Sequence, residues 1–481
     1  MAAASLRTVV AALCAAAVIC GGDTPVRAPA AIPRADERVS SIMVPVAMPR
    51  ALAGVLQRPA GVPGGHPMSL TAQVGARQVR ASWTYLDGMP RLNEHLDSWL
   101  LGILDAATPA GGRYRPAMAL NAGQPTPQAL TISAEPVQAS GTLVIVREKV
   151  EDVGVGSVSS ATLYFDTVSG ALHRGADLLR PDAVRDVQAR LLGVPGGIAA
   201  ASSPEPAVSD LVLNSAGELS VTAEQSAAPG RAGRELTTTL NASDTADVLS
   251  DYGRQALAQL NTAAAPLPVT PPAFRHINCD LVPCAALTYD DGPDAHGTPQ
   301  LLGILKEKNA QATFFMTGSN TAANPAIARQ VADAGHAIGN HTFSHPYLTK
   351  LSAPAVRNEI DRTDAAILAA TGSTPTIMRP PYGAADAAVQ GAVGKPLIIW
   401  AVDSLDWQSK NPAAFVPKVV KEITPGAVVL MHDVQPTTIA GQQELISTLQ
   451  SQGYRLVTVP QLFEGTPLVP GHVYRSRPAR Q

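Results

Sequence analysis

From about residue 284 onward, short apolar runs alternate with stretches whose apolar residues recur at helical spacing. The runs at 285–289, 312–316, 337–339, 376–378, 397–402, 427–431 and 454–459 have strand length, and 324–334 and 354–370 have helical periodicity. Such alternation predicts a parallel α/β sheet or barrel, which places functional groups just after its strands. Upstream the pattern is mixed. Leu92, Leu96, Trp99, Leu100 and Ile103 predict a helix begun near Pro90, and 142–150 and 162–165 read as strands. A helix at 181–192 and a hairpin pairing 211–213 with 219–221 complete an α+β pattern.

A chain of 481 residues exceeds what one core usually serves, so two domains are expected. The α+β region occupies 38–262 and the α/β region 277–466, with a tail at 467–481. Between them lies a linker at 263–276, where four prolines in APLPVTPPAF favour an extended chain. At the other end Arg7, the apolar stretch 9–19 and Gly21 and Gly22 read as an export signal or uncleaved signal anchor within 1–30. A Pro- and Ala-rich lead follows at 27–34, and Ile19 before Cys20 fits a lipidation signal poorly.

Charged residues are only 16% of the chain, below the ~25% of an average soluble domain. A net charge of -3 without a Lys/Arg run argues against nucleic acid or an anionic membrane as partner, leaving a neutral glycan as the easier one. Two of the four cysteines fall in the signal. The remaining pair, Cys279 and Cys284, is expected to form a disulfide, since no second Cys or His pair at suitable spacing supports zinc.

The chemistry concentrates in five clusters. TYDDGP (288–293) sets Asp290 and Asp291 side by side at a strand end, an arrangement that needs a cation or an arginine nearby. In HTFSH (341–345), histidines at i and i+4 would share one face of a helical turn and, with one carboxylate, make a three-donor metal set. RPPYG (379–383) is a rigid loop whose prolines could fix the Tyr382 amide as an oxyanion donor. DSLDW (403–407) and LMH (430–432) follow the next strands, and a carboxylate beside His432 would raise its pKa as a general acid requires. Each cluster alone has a structural reading: an Asp-Gly turn, exposed histidines, a surface ion pair at Arg379, core packing by Trp407.

Together the five motifs resemble the polysaccharide deacetylase family, the NodB homology domain of carbohydrate esterase family 4, with Tyr289 where phenylalanine is usual. The resemblance implies a distorted (β/α)7-type barrel with a divalent metal, usually zinc. It implies Asp291, His341 and His345 as ligands, Asp290 as general base oriented by Arg379, and the Tyr382 amide as oxyanion donor. His432 with Asp406 would be the general acid, and Pro381, Tyr382, Trp407 and Leu430 would line the acetyl pocket. His336 is expected to pack rather than to bind metal. Upstream, TLYFDTVSGALHRGADLL (162–179) resembles an RsiV-like extracellular domain found ahead of some peptidoglycan deacetylases. Its His95 and His173 are expected to be solvated. The function implied is metal-dependent de-N-acetylation of cell-wall peptidoglycan at N-acetylglucosamine, releasing acetate, by an exported protein of the cell envelope, cell wall or extracellular space. A chitooligosaccharide deacetylase, an acetylxylan esterase and a non-catalytic wall-binding module are the alternatives.

Overall fold

A computed structural model describes residues 64–75, 77–116, 129–191, 208–225, 234–262 and 275–480. The export segment, the lead at 27–34 and the proline-rich run 263–274 lie outside the described residues. The first region is a six-stranded sheet in the order β1 (Gly65–Val74), β2 (Arg77–Leu86), β3 (Ala129–Ser140), β4 (Leu143–Asp152), β5 (Ser157–Asp166), β6 (Leu172–Arg174). Only β2 and β3 pair in parallel, which requires a crossover, and the helix Pro90–Ala107 lies in it. That helix buries Leu92, Leu96, Leu100 and Leu104 against the sheet.

Alternation along β4 gives the sheet two covered faces, with Val144 and Val146 towards the helix and Leu143 and Ile145 towards a second layer. That layer is the sheet β7 (Asp210–Leu213), β8 (Leu219–Gln225), β9 (Arg234–Leu240), together with the short helix Val184–Leu191. His173 is only partly exposed and stacks on Tyr252. His95 departs from the solvated expectation. Its Nε2 lies 2.9 Å from a carboxylate oxygen of the buried Glu148, which needs a partner where water is excluded.

The second region is a parallel barrel built on β10 (Cys284–Asp290), β11 (Thr313–Met316), β12 (Ala337–Asn340), β13 (Leu397–Ile398), β14 (Val402–Asp403) and β15 (Val428–His432). Following the hydrogen bonds from β10 through β11, β12, the isolated bridge at Met378, the 397–403 segment and β15 returns to β10. A further strand, β16 (Arg455–Leu456), pairs with the beginning of β10. Three expected strands are corrected, the run 454–459 shrinking to Arg455–Leu456 before a helical turn that begins at Val459. The run 376–378 contributes a single bridge, and 397–402 breaks into β13 and β14 because the Arg379 guanidinium takes the carbonyls of Ile398 and Ile399. Residues 467–480 carry β17 (Val473–Tyr474), which pairs with β13.

The two regions share apolar contacts: Leu92 and Leu96 belong to one continuous cluster with Ala286, Phe315 and Val457. Polar ties reinforce it. Tyr114 donates to the Leu281 carbonyl at 3.2 Å, His276 meets Asp97 at 2.8 Å and Arg480 meets Asp105 at 2.5 Å. Cys279 and Cys284 form a disulfide.

His336 packs as expected: it is 7% exposed, accepts from the Ala312 amide at 3.3 Å and lies against Phe314. Burial pulls its imidazole down to about 4. In the unfolded chain a histidine takes its proton near 6.5, so the unfolded state binds more protons between these values and stability is lost as pH falls from about 6.5 towards 4. The loss attributable to this group is about 3 kcal/mol at most. Urea unfolding at pH 7 and pH 4.5 is expected to show a smaller acid-induced loss for His336→Gln than for the natural chain, and equal losses would remove His336 from the account.

Candidate active site

Alternation along β10 directs Tyr289 and Leu287 to the helices, while Ala286, Thr288 and Asp290 take the other face. At the strand end Asp291 adopts φ 74°, which turns the chain and separates the two neighbouring carboxylates. Gly292 is needed there, because an added Cβ would meet the Asp433 carboxylate at 2.5 Å. Asp433 itself is fully buried, accepts from Thr298, and burial pushes its carboxyl up to about 7.

The second cluster follows β12 but is not the helical turn its spacing suggested. Thr342 and His345 have φ of 64° and 58°, and the loop takes its shape from acceptors beneath it. Asn340 Oδ1 accepts from the Thr342 amide at 2.8 Å, and Glu359 accepts from the amides of Phe343 and Ser344 at 2.9 and 2.8 Å. This geometry brings His341 Nε2 to 3.5 Å and His345 Nε2 to 3.4 Å from the same Asp291 oxygen. His341 Nδ1–H donates to the Arg379 carbonyl at 2.7 Å, which leaves Nε2 as the free lone pair. Burial, then the neighbouring His341 imidazole, holds His345 below its ordinary value. Burial opposes the charge on Asp291, yet the imidazoles of His341, His345 and His432 around it outweigh burial and hold the carboxyl down to about 2.

One carboxylate and two imidazoles with their donor atoms within 4.8 Å of one another suit a divalent cation and leave coordination positions open. Among the described residues this is the one His/Cys/Asp/Glu group so arranged.

Arg379 is completely buried and supplies the cation that the adjacent carboxylates require. It donates to Asp290 Oδ1 and Thr288 Oγ1, each at 2.7 Å, and its guanidinium lies 4.2 Å from the centre of the Phe315 ring. After buried Pro381, Tyr382 sits at φ 62° with its side chain half exposed. Its ring stacks on Tyr347 at 3.8 Å and its hydroxyl lies 3.2 Å from His345 Nδ1.

Parallel register brings the remaining pieces together, since β15 sets His432 against Asp290 and β14 sets Asp403 against Leu430. Asp406, buried, meets His432 Nδ1 at 2.9 Å and also accepts from the His432 amide, Thr438 Oγ1 and Ser404 Oγ. Burial works against a charged His432, but the hydrogen bond and charge of Asp406, aided by Asp290 and Asp291, push it up to about 9. Leu430 is buried and Trp407 is half exposed. Five of the seven non-glycine residues with positive φ among the described residues (Asp291, Thr342, His345, Tyr382 and Leu405) lie in these loops. Such conformations cost about 1–3 kcal/mol each and concentrate where side chains must be aimed.

Sequence reasoning missed Glu359, Asn340, Tyr347 and Asp433. Glu359 had one available signal, an acid at a position of the helix Ala353–Thr371 that faces inward.

Parallel barrel and donor set together define the class: an α/β barrel carrying a two-histidine, one-carboxylate metal site at the C-terminal ends of its strands, beside a carboxylate–arginine pair and a histidine–aspartate pair. Within that class the chain belongs to the polysaccharide deacetylase family, whose profile matches residues 278–395. A chitin deacetylase of Colletotrichum lindemuthianum is 37% identical over 240 residues, covering 45% of this chain and 95% of that protein. The peptidoglycan-N-acetylglucosamine deacetylase PgdA of Listeria monocytogenes is 44% identical over 178 residues, covering 37% of this chain and 38% of the relative. The peptidoglycan-N-acetylmuramic acid deacetylase PdaC of Bacillus subtilis is 37% identical over 179 residues, with the same shares. The chain thus spans little more than a third of the length of these two relatives.

Proposed function

We propose that the chain is an exported, metal-dependent hydrolase that removes acetyl groups from the N-acetylglucosamine of cell-wall peptidoglycan, releasing acetate. The observation that carries this reading is the placing of Asp290: held by Arg379, 3.7 Å from His341 Nε2 and aligned in register with His432. Asp291, His341 and His345 would hold the divalent ion, zinc by the balance of imidazole and carboxylate donors. An ion bound there supplies Lewis acidity, which polarises an acetyl carbonyl and acidifies water.

The chain's own groups account for the rest. Asp290 takes a proton from the attacking water, and its ion pair with Arg379 fixes its orientation. The Tyr382 amide donates to the carbonyl oxygen as negative charge grows on it. His432, kept as imidazolium by Asp406, gives its proton to the departing sugar amine, so one water and one amide yield acetate and a free amine. Trp407, Leu430 and Pro381 form the apolar side of the acetyl pocket. Intact donors, base and acid speak against a purely wall-binding module.

Acetate release is to be measured on peptidoglycan, chito-oligosaccharide and acetylated xylan, with chelator and after zinc is restored. The expected result is turnover of peptidoglycan that chelator abolishes and zinc returns. Turnover confined to chito-oligosaccharide or xylan would move the substrate, and turnover unaffected by chelation would sink the assignment of Asp291, His341 and His345.

A further inference from the structure

At the end of the barrel opposite the candidate active site, a cleft of about 670 Å³ opens between the edge strand β1 and the beginnings of β10 and β16. Among the described residues its walls carry Arg275, Lys308, Arg455, His66 and His276, and no aspartate or glutamate. In a chain of net charge -3 this is a local concentration of cations and not a sample of the general surface.

The two histidines are already matched, His66 by Asp87 at 2.6 Å and His276 by Asp97 at 2.8 Å. The longer cations are not. Among the described residues neither Arg275 nor Arg455 has a side-chain hydrogen bond or an ion pair, and Lys308 only approaches the exposed Glu307 at 3.8 Å. Arg455 is half-buried, and burial holds its guanidinium below its ordinary value with no carboxylate offsetting the cost. A half-buried arginine without a counter-ion is costly to keep, and its planar fork matches a carboxylate or phosphate.

The frame around it is fixed in advance. The Cys279–Cys284 disulfide closes the loop that contributes Val282 and Pro283 to the cleft, and the Arg455 amide donates to the Pro283 carbonyl at 2.8 Å. On the facing wall β1 has, among the described residues, no partner strand beyond it, leaving backbone donors and acceptors for a polar ligand.

We propose that this cleft is a second binding site, for an oxyanion of a wall polymer: the carboxylate of a peptidoglycan peptide or the phosphate of a phosphodiester polymer. The choice of a wall polymer rests on the proposed function, whereas the cleft and its cations do not, and binding there needs no turnover. Arg275, Lys308 and Arg455 grip the oxyanion, and the β1 edge and neighbouring amides take the uncharged remainder.

The test is calorimetric titration of the full chain with three probes: a muramyl dipeptide carrying carboxylates, a glycerol phosphate oligomer, and neutral chitotetraose. Each is run at two salt concentrations against the natural chain, the surface double variant Arg275→Ala/Lys308→Ala, and Arg455→Gln. One anionic probe is expected to bind more tightly than chitotetraose, with affinity falling as salt rises. The double variant should weaken it about ten-fold or more, as loss of charge-assisted contacts implies. Acetate release from short chito-oligosaccharide should not change. Which anionic probe binds identifies the source of the oxyanion. Binding no tighter than the neutral sugar, or equal binding by a folded double variant, would overturn the proposal, and the latter would place the probe at the barrel's other end. The double variant carries the decision if Arg455→Gln unfolds.

Discussion

Replacing Arg379 with methionine is expected to destabilise the chain by about 3–5 kcal/mol, the usual consequence of removing one partner of a buried ion pair. The side chain is 0% exposed and Asp290 is 3% exposed, so the carboxylate left behind could not turn to water. The loss reaches beyond that pair, because the same guanidinium holds Thr288 and the carbonyls of Ile398 and Ile399 where β13 gives way to β14. Urea unfolding of Arg379→Met is the measurement. A loss below 1 kcal/mol would mean that the barrel interior tolerates an unpaired Asp290, contrary to the desolvation argument.

Asp290→Asn tests the chemistry in place of the fold. Asparagine keeps an oxygen to accept from Arg379 but cannot take a proton, so kcat is expected to fall by about 10²–10⁴; the buried Arg379 also loses its counter-charge, so urea unfolding is measured alongside to show that the assayed variant is folded. Zinc content after dialysis should match that of the natural chain, since Asp290 is not in the proposed donor set, whereas Asp291→Asn should lose the ion as well. Retention of full activity by Asp290→Asn would transfer the base to another group, and loss of zinc would make Asp290 a ligand.

Much of the barrel was legible because strands covered on both faces give continuous apolar runs of strand length, such as those that became β10, β11 and β15. The failures have physical causes. Met378 joins the barrel through a single bridge, too little to shape a sequence pattern, and the break in 397–402 is imposed by an arginine from elsewhere in the chain. Strands β1 to β3 were missed: their inward residues alternate with Ser, Thr, Gln and Arg, and β3 is reached only after a long crossover. At the site, residue types and spacing identified the groups that converge, but not how the backbone aims them. An i, i+4 histidine pair fits a helix, yet here two left-handed residues and the Glu359 carboxylate do that work. Glu359, 14 positions beyond His345, is tied to the loop only through tertiary packing.

The apolar cluster that runs from the first sheet into the barrel, with its ties at Tyr114, His276 and Arg480, bears on scale as well as on stability. Two bodies joined only by a proline-rich string would sample many separations. Two bodies that share a core hold one. A polymer engaged both at the oxyanion cleft and at the acetyl pocket would therefore be measured against a fixed gauge, and the spacing of deacetylated sugars along a strand would record the length of the protein itself.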